Sequence, residues 1–461
     1  MNFISLSNVF FSYDANNILF DGVSVAFNNI DKVAIVGDNG TGKTTLLKLL
    51  SGEIKPESGS VAIGASVYML NQINASDSRS GGERQSLELA RAFDSYADIL
   101  LLDEPTNNLD KDAKEKFFND LLSYPFGAVI VSHDRELLQK VDKIIEIQNQ
   151  HIKVYGGNYD FYVAQKKAEE ENIIAQYTDT QKRIARLNDT INIAQNTRQH
   201  HEAKQKKDMQ NGKRSRLAAN ALKGKSQETE AKKRAIIQKK LNQQFEMQQY
   251  LSLQMRDDKI KIPLPNKPFY SKELIQISGL NFAYKNKTIF TNFDFNMYGA
   301  TRLRLIGKNG SGKTTLLKLI CKELTPQSGT IKTFGKIAYL NQDLSVLDKN
   351  KTVVENITDI AKVSNHEAHV IAANFGFRGD KSIKKVSVLS GGELLKATLA
   401  AVLGSETQPD LLILDEPTNN LEIKSISILE DALNQYQGAI LLVSHDEMFA
   451  KNIKVDKTLQ L

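Results

Sequence analysis

Six short apolar runs carry the strongest signal in this sequence. IDKVAIVG (30–37) and ATRLRLIG (300–307) are rich in β-branched residues, stop at glycine, and lead through a turn into a helical LLKL stretch. ADILLLDE (97–104), PDLLILDE (409–416), GAVIVSH (127–133) and GAILLVSH (438–445) are continuously apolar. That is the pattern of strands buried on both faces of a mostly parallel sheet. Each half of the chain therefore reads as an α/β unit. Between the halves the period changes. Ile173, Tyr177, Ile184, Leu187, Ile191 and Ala194 fall at helical spacing, as do Ile237, Leu241, Phe245, Leu251 and Met255. The spacing predicts two helices of about 40 residues, each roughly 60 Å long at 1.5 Å per residue, paired antiparallel. Gly212 and Gly224 are plausible breakers around the tip of that hairpin.

The chain is a duplication. GDNGTGKTTLLKLL (37–50) recurs as GKNGSGKTTLLKLI (307–320), and YMLNQ (68–72) as AYLNQ (338–342), both 270 residues on. SGGE (80–83) recurs at 390–393, an offset of 310. LLLDEPTNNLD (100–110) recurs as LILDEPTNNLE (412–422), and VSHD (131–134) as VSHD (443–446), both at 312. Seven residues separate Gln72 from Ser80, whereas 47 separate Gln342 from Ser390. The second copy thus has room for two or three short helices that the first lacks.

Length and charge sharpen this picture. At roughly 150 residues per domain, 461 residues suggest about three units. One cysteine, Cys321, excludes a disulfide framework or a cysteine-based zinc site and fits a reducing, cytoplasmic compartment. No run reaches the ~18 apolar residues of a membrane-spanning helix, and MNFISLSNVFFSY lacks the features of a secretory signal. The formal charge of +6 is unevenly placed. Residues 198–240 hold 14 Lys and Arg against 4 Asp and Glu, so the rest of the chain is mildly acidic. A hairpin with a self-packed base and a basic tip suits an anionic partner.

The repeated motifs specify phosphate chemistry. Gly37, Asp38, Asn39, Gly40, Thr41, Gly42, Lys43, Thr44 and Thr45 form a phosphate-binding loop between a strand and a helix. Gly307, Lys308, Asn309, Gly310, Ser311, Gly312, Lys313, Thr314 and Thr315 repeat it. Glycines let successive N–H groups point at phosphate oxygens, the lysine reaches the β- and γ-phosphates, and the threonine hydroxyl of Thr44 or Thr314 ligates Mg²⁺. Asp103 and Asp415 end apolar strands and can sit beside the metal, directly or through water. The adjacent Glu104 and Glu416 are candidate general bases for an attacking water. His133 and His445 end another strand, within reach of a γ-phosphate, and Gln72 and Gln342 are placed to position water and metal.

These motifs, twice and in order, resemble those of ATP-binding-cassette ATPases over nearly all of 1–150 and 270–461. The resemblance implies an α/β fold: two P-loop cassettes, 1–160 and 266–461, joined by an α-helical hairpin linker at 161–265 with its basic tip near 204–225. It further implies two ATP molecules sandwiched head to tail within a monomer. One site pairs Lys43 with Ser390, Gly391 and Gly392, and the other pairs Lys313 with Ser80, Gly81 and Gly82. Tyr13 and Tyr284 match the adenine-stacking aromatics. The chain departs from the family pattern at Arg79, where leucine is usual, at Glu83 and Glu393, where glutamine is usual, and at Glu422, opposite Asp110.

A transporter subunit is disfavoured because the first copy lacks the helices that receive a membrane domain. Two whole cassettes around a basic helical hairpin resemble instead the ABC-F group of translation-associated ATPases, and VYGGNYDFYVAQKKAEEE (154–171) is similar to that group's approach to its linker. The resemblance implies binding at the ribosomal tRNA exit site, beside P-site tRNA, with the linker directed at the peptidyl-transferase centre. Lys206, Lys207, Arg214 and Arg216 are the expected contacts to large-subunit rRNA. A first cassette without an inserted arm is similar to the Vga-type ribosomal protection proteins, which act against lincosamide, pleuromutilin and streptogramin A drugs. A housekeeping translation factor is the alternative.

Overall fold

An apolar β-branched run lowers its free energy by burying both faces, and the backbone then pairs with parallel neighbours. The computed structural model arranges both halves this way. It describes residues 3–14, 18–72, 81–107, 109–210, 232, 235–252, 260–265, 272–285, 287–308, 310–341, 345–419 and 421–461.

The first half runs β1 (Phe3–Ser12), β2 (Ile18–Asn28), β3 (Lys32–Gly37), α1 (Lys43–Ser51), β4 (Ser58–Ile63), β5 (Val67–Leu70) and α2 (Gly81–Asp94). It continues through β6 (Ile99–Asp103), α3 (Lys111–Ser123), β7 (Gly127–Val131), α4 (Arg135–Leu138), β8 (Lys143–Gln148) and β9 (His151–Gly156). Then come α5 (Tyr159–Gln210) and a helix α6 at 235–252. The second half comprises β10 (Glu273–Tyr284), β11 (Lys287–Tyr298), β12 (Arg302–Ile306), α7 (Lys313–Ile320), β13 (Ser328–Thr333), β14 (Ile337–Leu340), α8 (Val353–Ala361) and α9 (Asn365–Asn374). It ends with α10 (Gly391–Leu403), β15 (Leu411–Asp415), α11 (Ile423–Gln435), β16 (Ala439–Val443), α12 (Glu447–Asn452) and β17 (Lys457–Gln460).

The first sheet has the order β5-β6-β7-β3-β8-β9, parallel except for the β8–β9 pair, and the second has β14-β15-β16-β12-β17, all parallel. Every residue of β6, β7, β15 and β16 is buried, as their unbroken apolar runs predict. Each half also carries a three-stranded antiparallel sheet, β2-β1-β4 and β11-β10-β13, that the apolar runs did not announce. Their strands are half exposed and broken by register shifts, so no single period dominates. The phosphate-loop helix α1 is clamped between the two sheets of its half. Leu46, Leu47, Leu49 and Leu50 are all fully buried in one core with Ile4, Phe20 and Val33, which fixes the loop that precedes them.

The extra length of the second half forms α8 and α9, both opened by a capping box, Thr352 with Glu355 and Ser364 with Glu367. No helix among the described residues is long and apolar enough to cross a membrane.

The chain divides into two compact units, Met1–Tyr162 with Asp258–Leu461, and Val163–Asp257. In the second unit α5 is longer than the predicted 40 residues because no glycine or proline interrupts 158–211. On α5 the expected stripe holds from Ile173 to Ile191, with Ile184 buried and Ile173, Tyr177, Leu187 and Ile191 half-buried; Thr180 joins it, and Ala194, its expected last member, is exposed. On α6 it shifts: Leu241 and Leu251 are buried, but Gln244 and Gln248 fill the turns between them and Phe245 is 46% exposed. The predicted breakers Gly212 and Gly224, and Met255, lie outside the described residues.

Candidate functional site

Each phosphate loop joins the end of a central sheet strand, β3 or β12, to the first turn of a helix whose leucines are buried. Gly42 and Gly312 sit at the helix N-caps with φ of 96° and 105°, a region L side chains rarely adopt. A Cβ at Gly312 would stand 2.4 Å from Ile289 Cγ2, and one at Gly42 would stand 3.0 Å from the Phe20 ring. Lys43 Nζ donates to the carbonyls of Gly37 (2.8 Å) and Asp38 (3.2 Å). Lys313 Nζ does the same to Gly307 (2.6 Å) and Lys308 (3.2 Å). Burial lowers the pKa of both lysines, against the carboxylates Glu104 and Glu416, which raise it. Gly40 and Gly310 also take positive φ. Thr41 Oγ1 donates to Asp38 O, whereas its counterpart Ser311 has a buried hydroxyl with no partner among the described residues. Thr45 and Thr315 are buried.

At the strand ends, Thr44 Oγ1 donates to Asp103 Oδ2 at 2.7 Å. Thr314 bonds Asp415, which also accepts from Tyr339 Oη at 3.2 Å. Desolvation raises the pKa of both aspartates, offset by those hydroxyls. One carboxylate and one hydroxyl per site is a donor set that suits Mg²⁺, which keeps waters and takes its remaining ligands from substrate phosphates.

Glu104 and Glu416 follow in the left-handed region, with φ of 48° and 47°. Their amides donate to Val131 O (2.9 Å) and Val443 O (2.8 Å), which holds a conformation that costs on the order of 1–3 kcal/mol. Burial pushes the Glu104 carboxyl up to about 8 and the Glu416 carboxyl up to about 7. The imidazoles beside them are pushed the other way. His133 is lowered to about 3 and His445 to about 4, by burial first and then by the phosphate-loop lysines. His133 Nε2 lies 3.7 Å from Glu104 Oε1, and His445 Nε2 lies 3.4 Å from Glu416 Oε1.

A cavity of about 610 Å³ opens between the halves, bounded by Lys43, Glu104 and His133 on one side and by Thr418, Asn419 and His445 on the other. Gln72 and Tyr13 also line it, and Tyr13 is 57% exposed with its hydroxyl 3.2 Å from Thr45 Oγ1. Tyr284 is 46% exposed, so neither tyrosine is a core residue. The SGGE segment of the second half faces the first phosphate loop: a Cβ on Gly391 would be 4.0 Å from Asn39 Nδ2. Gly392 packs against Ser425. Ser390 caps α10 and exchanges hydrogen bonds with Glu393, which gives the unusual glutamate a capping-box role. Gly81 and Gly82 open α2. Lys206 and Lys207 lie near the end of α5, with Lys207 exposed. Ser80, Asn309, Gln342, Arg214 and Arg216 lie outside the described residues.

Two partners escaped the sequence reading. Tyr339, which stands where the first half has Met69, reaches Asp415. Glu422 accepts a 2.5 Å hydrogen bond from the amide of Asn39 in the other half's phosphate loop. Asp110, its counterpart, instead caps its own helix through Ala113 N. The extra methylene of glutamate was the available signal.

Paired phosphate loops, strand-end carboxylates and an intervening cavity define a tandem ATPase of the ATP-binding-cassette class. A family model described as ABC transporter matches residues 20–75, 69–107 and 290–419, and a second with the same description matches 145–212. The erythromycin resistance ATP-binding protein MsrA of Staphylococcus epidermidis is 32% identical, over 93% of this chain and 91% of its own length. The ribosome protection protein VmlR of Bacillus subtilis is 27% identical over 97% of this chain and 84% of its own. The ATP-binding protein Uup of Caulobacter vibrioides is 28% identical over 95% and 74%. The chain belongs to the ABC-F family of ATP-binding-cassette ATPases. Among solved structures, archaeal ribosome recycling factor aABCE1, in complex with the ribosomal stalk protein aP1, superposes with a TM-score of 0.59. That match covers 98% of this chain and 87% of the other at 17% identity, a likeness of fold alone.

Proposed function

We propose that this chain is a ribosome-associated ATPase that protects the peptidyl-transferase centre from antibiotics. In this reading it binds at the tRNA exit site beside P-site tRNA and leaves when ATP is hydrolysed. The observation that carries the reading is a first cassette with only seven residues between Gln72 and Ser80, joined to the second by a strongly basic connecting segment. Similarity to MsrA and VmlR along nearly the whole chain supports it. The proposed drug classes are those of the Vga-type proteins that the layout resembles: lincosamides, pleuromutilins and streptogramin A compounds.

The residues divide the work by position. Loop amides with Lys43 and Lys313 bind the phosphates, and Ser390, Gly391 and Gly392 close over the first site while Ser80, Gly81 and Gly82 close over the second. Thr44 with Asp103, and Thr314 with Asp415, would hold Mg²⁺, helped by Gln72 and Gln342; the ion supplies charge neutralisation at the phosphates. Glu104 and Glu416 accept a proton from the attacking water, and His133 and His445 orient the γ-phosphate. Tyr13 and Tyr284 stack on adenine. Lys206, Lys207, Arg214 and Arg216 contact rRNA phosphates, which makes binding weaken with salt.

The test has two parts. Expression in a susceptible strain should raise the inhibitory concentration of at least one drug, in a panel of the three classes plus erythromycin. The Glu104→Gln/Glu416→Gln chain should cosediment with ribosomes in ATP. No protection across the panel sinks the resistance role and leaves a housekeeping factor. A double variant that sediments free of ribosomes sinks the ribosome reading itself.

A further inference from the structure

The halves meet through ion pairs whose polarity is reversed between pseudo-equivalent positions. At the first phosphate loop, Asp38 Oδ2 lies 3.3 Å from Lys424 Nζ of the second half. At the second, Lys308 Nζ lies 3.7 Å from Asp112 Oδ2 of the first. The repeat offsets make Asp38 the counterpart of Lys308, and Asp112 the counterpart of Lys424. A third position follows the same rule, since Arg135 is the counterpart of Glu447. Arg135 pairs with Glu430 at 2.5 Å, and Glu447 pairs with Lys111 at 2.7 Å, again across the halves.

The consequence appears when like is placed against like. First half against first half would set Asp38 against Asp112 and Lys111 against Arg135, and would face Arg135 with Phe118, the counterpart of Glu430. Second half against second half would set Lys308 against Lys424. Every such juxtaposition is repulsive or leaves a buried charge unpaired, and like charges in contact discriminate against a wrong partner. Only first against second satisfies all four pairs. A duplicated domain has this difficulty by construction, because two copies with the same surface can pair homotypically between chains.

We propose that these reversed pairs are a pairing code: the interface that closes over ATP accepts a first cassette on a second and rejects homotypic association with a second copy of the chain. The proposal rests on the reading of two ATP-gated cassettes, and not on any ribosomal partner.

The sharpest test changes two residues outside the phosphate loops. In Asp112→Lys/Lys424→Asp, the two phosphate-loop pairs become like-charged across the halves, while the corresponding homotypic contacts, Asp38 with residue 112 and Lys308 with residue 424, become complementary; the Arg135 and Lys111 pairs are left as they are. In the Glu104→Gln/Glu416→Gln background, closure is followed by small-angle scattering against Mg-ATP concentration, and chain mass by light scattering. Exposed pairs each shift an equilibrium by roughly two- to fivefold, so the reversed variant should need about tenfold more ATP to close. It should also form an ATP-dependent dimer of chains as protein concentration rises. The neutral Asp112→Asn/Lys424→Gln variant should fall between it and the parent and stay monomeric. High salt should narrow all three differences by screening.

Equal behaviour of the neutral and reversed variants, or parent-like closure of the reversed one, overturns the code. If the reversed chain fails to fold, salt-insensitive closure of the parent does so instead. A parent that binds ATP without closing removes the gating reading, and the code with it. Loss of ribosome binding alone, with these closure differences intact, leaves the code standing.

Discussion

His133 Nε2 stands 3.7 Å from Glu104 Oε1, and among the described residues neither ring nitrogen has a hydrogen-bond partner. Two titratable groups thus stand side by side, largely shielded from water, each driven toward its neutral form, the carboxyl up to about 8 and the imidazole down to about 3. The second half repeats the pair with Glu416 up to about 7 and His445 down to about 4.

The signs of these shifts predict opposite pH limbs for the nucleotide-free chain. A raised carboxyl pKa contributes stability present below its unfolded value and lost as pH rises through 7 to 8. A lowered histidine pKa contributes stability present above its unfolded value and lost as pH falls toward 4. Glu104→Gln/Glu416→Gln removes the first limb, so it should raise the Tm more at pH 8.5 than at pH 5. A Tm difference independent of pH would show that neither carboxyl is desolvated as described.

The two glycine positions of a phosphate loop should respond differently to alanine. Gly40 has φ of 81° with open space around its missing Cβ, so Gly40→Ala meets only left-handed strain, on the order of 1 kcal/mol. Gly312→Ala adds a clash with Ile289 and must displace the loop. Urea melts should show the larger loss for Gly312→Ala, together with weaker ATP binding at that site. Equal losses would mean the loop tolerates the displacement.

Arg135 and Glu430 form a buried pair, with Asn452 Nδ2 also donating to Glu430 at 3.0 Å and the guanidinium 6.0 Å from the Tyr159 ring. Removing one partner leaves an uncompensated buried charge, so Arg135→Met and Glu430→Leu should each destabilise by roughly 3 kcal/mol. The double variant should recover much of that loss. Additive losses in the cycle would place the pair's contribution in packing instead of charge.

Tyr339→Phe tests a strand-end carboxylate contact that the halves do not share. Asp415 loses a donor in a desolvated site, at a cost of about 1–2 kcal/mol in the nucleotide-free chain. Met69→Leu, at the counterpart position on the Asp103 side, should change stability by less than about 1 kcal/mol. Equal effects at the two positions would deny the tyrosine hydroxyl its role.

The sequence alone determined what depends on local order. Buried strands, phosphate loops, the carboxylates at strand ends and the duplication were all legible because each is a period or motif within about a dozen residues. The stripe on α6 was read less well, since Phe245 yields its turn to Gln244 and Gln248 and hydropathy does not reveal which face a helix presents. The antiparallel sheets were missed because half-exposed, bulged strands keep no clear alternation. The hydrogen bonds and ion pairs between the halves belonged to the tertiary structure. Asn39 and Glu422 are 383 residues apart, and Arg135 and Glu430 are 295 apart. Such pairs leave no periodic trace, because a long-range ion pair constrains only two side chains and says nothing about the backbone between them. Folding selects them by burying the surfaces on which they sit, and it was that burial that turned scattered charges along the chain into specific partners.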